Sequence, residues 1–176
     1  MEEPIQGVFD NVVDVLRPII SENAISSGRV LDFILGNGCM ITEYAADLLV
    51  QAQHEVLFST CFWAKSDSLA ILHHALLTLN NRARAANRRV VVKILFSSYS
   101  FSQKFLGFKG VRQWGSKTWK QLWLPNAATL DSLDLTVVSR FRKPIGIMHA
   151  KFLVIDRKSV VMMSSNISCM PVNPSF

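Results

Sequence analysis

Two apolar, β-rich runs separated by a single amphipathic helix constrain this chain more than any other feature. Residues 55–63 (Glu-Val-Leu-Phe-Ser-Thr-Cys-Phe-Trp) and 90–96 are too apolar for strands with one wet face, so burial on both faces is expected. Between them Leu69, Leu72, Leu76 and Leu79 recur at helical spacing, and Ser66 followed by Asp67 forms an N-terminal cap. A helix is therefore expected to run to about Ala86. Strand, helix, strand at this spacing is a crossover unit, which makes the sheet at least partly parallel.

The flanking segments extend this pattern. Ile5, Val8, Phe9, Val12, Val13, Leu16, Ile19 and Ile20 outline an N-terminal amphipathic helix within residues 1–28, broken near Pro18. Residues 30–35 read as a short strand stopped by a tight turn at Gly36-Asn37-Gly38, and residues 42–53 return to helical spacing. Further strands are expected at 133–139, 146–155 and 160–163, with a turn at Asp156-Arg157-Lys158-Ser159. Residues 97–128 are the least regular, interleaving Lys104, Lys109, Arg112, Lys117 and Lys120 with Phe101, Phe105, Phe108, Trp114, Trp119 and Trp123. Such a mixture can stack nucleobases or sit at a lipid headgroup interface, or its aromatics can cover the end of a core.

Charge is distributed unevenly. Residues 1–60 carry nine Asp/Glu against two Arg, whereas residues 61–176 carry seventeen Lys/Arg against four Asp. The basic part is the one expected to meet an anionic partner. Cys39, Cys61 and Cys169 have neither disulfide-framework nor zinc spacing and read as buried thiols, and the adjacent His73 and His74 read as ordinary helix residues. The Met1-Glu2-Glu3 start lacks the basic and apolar regions of a signal peptide, and no apolar run has the length of a membrane span. An intracellular protein, soluble or peripheral to a membrane, is the expectation.

Reactive side chains fall at a chemically meaningful spacing in one place. His149 and Lys151 stand two apart in an apolar, β-branched run, so in a strand they share a face. An imidazole beside an ammonium suits a phosphate. Asp156, seven residues from His149, would fall on the other face and reads as a turn or scaffold residue. The return strand would bring Ser164 and Asn166 beside the histidine.

His149, Lys151, Asp156, Ser164 and Asn166 form the pattern HxKxxxxD followed by SxN, which resembles the HKD signature of the phospholipase D superfamily. From about residue 30 onward the chain looks like the N-terminal half of a two-motif, cardiolipin synthase-like member. The resemblance implies an α/β fold: a mixed, partly parallel sheet flanked by helices on both faces. The domain would span residues 29–170, with 171–176 an irregular tail where a longer chain is cut. It also implies a phosphodiesterase or phosphatidyltransferase whose His149 attacks phosphorus to form a phosphohistidine. Lys151 would neutralise the nonbridging oxygens, with Ser164 and Asn166 as hydrogen-bond donors. No metal or other cofactor is implied.

Three departures qualify the resemblance. Met163 stands where the family usually has glycine, and would crowd the floor of the site. The chain has one motif, whereas members oppose two, the second histidine protonating the leaving group. A carboxylate that typically orients the histidine would fall just past Phe176. Completion by a second HKD half or by a homodimer partner is therefore expected. A phospholipid is favoured as substrate over nucleic acid, with peripheral membrane contact. The alternatives are a dimeric HKD nuclease, or a catalytically incompetent half-domain that binds anionic lipid or nucleic acid.

Overall fold

A computed structural model describes residues 28–98, 110–140 and 148–167. The expected N-terminal helix, the 141–147 connection, the 171–176 tail and the aromatics Phe101, Phe105 and Phe108 lie outside the described residues. The chain divides into two compact units, Met1–Leu35 and Gly36–Phe176. In the first, residues 28–35 have no regular structure. The strand expected at 30–35 is absent there: Phe33 and Leu35 are 72% and 82% exposed. β-forming side chains without a partner ladder do not make a strand.

In the second unit the first element is α1, Gly38–Leu49. It begins four residues earlier than expected because the Asn37 side chain accepts hydrogen bonds from the Cys39 and Met40 amides at 3.0 Å each. Gly36-Asn37-Gly38 is therefore a helix start and not a tight turn. The crossover unit follows as β1 (Glu55–Phe62), α2 (Asp67–Ala85) and β2 (Val90–Ser98), with β1 and β2 parallel. Ser66 caps α2 through its side chain, Asp67 opens it, and Arg82 and Arg84 close it, matching the helix dipole at both ends. Leu69, Leu72, Leu76 and Leu79 are all buried, each contributing roughly 2 kcal/mol of apolar transfer.

The irregular 97–128 region contains β3 (Val111–Trp114) and two 3-10 helices, Ser116–Leu122 and Ala127–Thr129. Then come β4 (Leu133–Arg140), β5 (Phe152–Ile155) and β6 (Ser159–Met162). The sheet order is β3-β4-β2-β1-β5-β6. The central strands β4, β2 and β1 are parallel, and β3, β5 and β6 pair antiparallel at the flanks. This is the mixed, partly parallel α/β sheet expected.

Register fixes which side chains share a face. Val56 lies opposite Val92 and Ile155, and Phe58 opposite Ile94 and Leu153, so one sheet face is a continuous apolar surface. Both described α-helices pack on this one face, where helices on both faces were expected: Thr42, Ala45 and Leu49 of α1, Leu72 of α2 and Phe58 and Leu153 of the sheet line one small apolar pocket. Asn80 ties α2 to the start of β4 by bonding the Asp131 carboxylate and the Ser132 amide.

Candidate active site

The strand expected at 146–155 is shorter than the sequence implies. β5 begins at Phe152, opposite Ser59 of β1, and residues 148–151 are outside the ladder. The reason lies at the end of β1. There the Phe62 amide donates to Asn166 Oδ1 at 3.2 Å, the Ala64 amide donates to the Ile167 carbonyl at 3.2 Å, and Trp63 bridges Ile167 in parallel. At and just beyond the end of β1, residues 166–167 lie alongside in place of the histidine segment.

His149 and Lys151 nevertheless meet. Lys151 Nζ lies 3.2 Å from His149 Nε2, 3.3 Å from Nδ1 and 3.1 Å from the His149 carbonyl oxygen, to which it donates. The two residues differ in environment: Lys151 is 7% exposed, whereas His149 is open to solvent. Among the described residues no carboxylate pairs with Lys151 and none bonds the His149 ring. A buried ammonium without a counter-charge is costly, and an anion arriving at the exposed imidazole would supply one.

The segment that carries Ser164 and Asn166 is tied to Lys151 through its backbone. The Met163 amide donates to the Lys151 carbonyl at 3.0 Å, a single bond just past the last ladder pair, Phe152 with Met162. Ser164 follows, exposed, and then Asn166. Because Asn166 Oδ1 is occupied by Phe62, its amide group is left as the donor end. Met163 is half-buried and lines the apolar pocket with Thr42, Ala45, Leu49 and Leu153. Its side chain therefore packs with the core, where crowding of the site floor was expected.

Asp156 sits at the far end of β5, in a turn where both Asp156 (φ 51°) and Arg157 (φ 56°) are left-handed. Its carboxylate accepts the amides of Gln53, His54 and Glu55 at 2.9, 2.7 and 2.9 Å. Burial pushes this carboxyl up, but the amides of Glu55, Gln53 and His54 together outweigh burial and hold it below its ordinary value. Beside it Glu55 pairs with Arg157 at 2.7 Å and Lys93 at 3.1 Å, which lowers its carboxyl too.

Residues 46–174, most of the chain and all five of these positions, match the family described as cardiolipin synthase, PLD-like domain. The chain belongs to this phospholipase D-like family. No curated protein matches it.

Two residues of the phospholipase D-like domain that touch the histidine segment had no signal in the sequence. Ser59 Oγ donates to the Ala150 carbonyl at 3.3 Å, and Ser97 Oγ accepts the Met148 amide at 2.8 Å. In the sequence they are small polar residues inside apolar strands, and only the register shows what they face. The aromatic and basic segment also resolves in part. Trp114 and Trp119 are buried, their indoles bonded to Ser139 Oγ and to the Trp114 carbonyl, so they are core and not stacking platforms. Trp123 is 41% exposed, its carbonyl held by His73 Nδ1 at 3.0 Å. Among the described residues no helix is long and apolar enough to cross a membrane.

Proposed function

We propose that this domain supplies one half of a site that cleaves or transfers a phosphodiester through a phosphohistidine. A neutral His149 nitrogen attacks phosphorus, the N–P bond forms as the P–O bond to the leaving alcohol breaks, and the leaving oxygen takes a proton from an opposing acid. Water or a second alcohol then attacks phosphorus and releases His149. Lys151 neutralises the nonbridging oxygens in both steps, with Ser164 and the Asn166 amide donating to them. The opposing acid is the histidine of a second motif, from another half or a second copy of the chain.

The single observation that carries this reading is the buried Lys151 ammonium pressed against an exposed imidazole, with no carboxylate to balance it among the described residues. The family's description, which names cardiolipin synthase, favours a phospholipid over a nucleic acid. Burial of Trp114 and Trp119, which removes two stacking platforms, favours it as well.

The test is to incubate the full chain with phosphatidylglycerol vesicles, quench at alkaline pH where a phosphohistidine survives, and look for the adduct by mass spectrometry. The adduct should map to His149 and be absent from His149→Ala. A wild-type chain that forms no adduct and releases no product at any protein concentration would sink the claim that this chain, alone or as a dimer, carries the activity. Vesicle binding that persists in His149→Ala and falls steeply with salt would instead mark a binding module.

A further inference from the structure

Because His149 lies outside the sheet ladder, strand hydrogen bonds do not hold its backbone, and other groups must do so. Lys151 Nζ bonds the His149 carbonyl itself, and the described bonds to the flanking residues Met148 and Ala150 come from two serines on the central strands. Ser97 Oγ on β2, 2% exposed, accepts the Met148 amide at 2.8 Å and donates to the Arg140 carbonyl at 3.1 Å. One hydroxyl thus joins the last residue of β4 to the residue preceding the histidine. Ser59 Oγ on β1, 1% exposed, donates to the Ala150 carbonyl on the other side at 3.3 Å.

We infer that Ser97, assisted by Ser59, is a positioning residue that aims the His149 imidazole at phosphorus by fixing the peptide units before and after it. This rests on the phosphohistidine reading above. A nucleophile on an irregular segment gains from being held, since a displacement of about 1 Å can cost on the order of a hundredfold in rate. β1 and β2 are the central pair of the six strands, so they give the segment a rigid reference. The chemistry also explains why serine stands at these two buried strand positions. An alanine at 97 would leave the Met148 N–H and the Arg140 carbonyl without this partner, and the two chain ends it joins would be free to separate.

The test compares the full-length wild type with Ser97→Ala and Ser59→Ala. Turnover of the probe bis(p-nitrophenyl) phosphate is measured, together with hydrogen exchange of the Met148 amide and NMR relaxation of the His149 Cε1–H. For Ser97→Ala, kcat should fall roughly tenfold to a hundredfold with KM within about twofold. Met148 exchange should accelerate at least about tenfold and the ring should become less ordered. Unchanged kcat, or a loss confined to KM, overturns the inference. Should Ser97→Ala fail to fold, Ser59→Ala carries the same readouts, with a fall in kcat expected and its absence decisive against. If the wild type itself turns over no probe, the phosphodiester reading fails on that ground. The positioning role is then decided by NMR alone, and equal Met148 exchange and His149 order in wild type and variant overturn it.

Discussion

The carboxylate of Asp156 accepts the backbone amide of His54 at 2.7 Å, joining residues 102 positions apart. The same carboxylate takes the neighbouring amides of Gln53 and Glu55, so one side chain closes the start of β1 against the end of β5. β5 leads back directly to Lys151, which makes this clasp the anchor of the register that carries the site.

Replacing Asp156 with asparagine should therefore destabilise the domain by about 1–3 kcal/mol, since charge-assisted bonds to three amides are lost or weakened. Asparagine tolerates the left-handed backbone that Asp156 adopts at φ 51°, so the loss reports the carboxylate and not strain. Denaturant unfolding measures it. A change of under about 0.5 kcal/mol would show the clasp to be ornamental.

The same clasp sets an acid limit. Asp156 is held below the ordinary carboxyl value of 3.8, so in acid the unfolded chain binds this proton before the folded chain does. Its contribution is complete above about pH 4 and drains as pH falls through the lower folded value. Glu55, lowered by Arg157 and then by Lys93, acts in the same direction from its ordinary 4.5. Thermal midpoints followed from about pH 6 to about pH 3 should drop less steeply below pH 4 in Asp156→Asn than in wild type.

The crossover unit was legible because local signals agreed with it. Ser66 caps, the leucine stripe faces inward, and β1 has buried residues on both faces. The strand placed at 30–35 failed because its β-forming residues have no ladder partner among the described residues, and pairing is not written in a single segment. At the site the sequence brought His149 and Lys151 together by an assumed strand. The structure brings them together without one, because Asn166 and Ile167 take the place beside the end of β1. The strand end they compete for lies 104 residues before Asn166, and no local pattern encodes the outcome.

Lys151 separates chemistry from stability. Its ammonium is buried beside the imidazole with no described carboxylate, so Lys151→Met should leave stability unchanged or raise it by up to about 2 kcal/mol. Turnover should nevertheless fall by about 10² to 10³. Parallel unfolding and rate measurements check this, and a variant that unfolds readily would make Lys151 a structural residue.

Met163 lines the apolar pocket between α1 and β5. Met163→Gly, which restores the residue usual in the superfamily it resembles, should cost about 1–3 kcal/mol through lost packing and added chain freedom. It should not raise turnover, because the methionine packs with the core. A faster enzyme would show that Met163 does crowd the phosphate.

Asn166 has two ends with two jobs, and a pair of substitutions can tell them apart. Oδ1 accepts the Phe62 amide at 3.2 Å and so fastens the segment to β1, while the amide group is the donor proposed for phosphate. Asn166→Asp keeps the acceptor and should stay within about 1 kcal/mol of wild-type stability, yet turnover should fall about a hundredfold or more as a donor becomes a negative charge. Asn166→Ala removes both ends, so it should lose activity and about 1–2 kcal/mol of stability as well, leaving the Phe62 amide without this partner. Should Asn166→Asp turn over at the wild-type rate, Asn166 acts only as a fastener and the phosphate donors must be sought elsewhere, with Ser164 the first to examine.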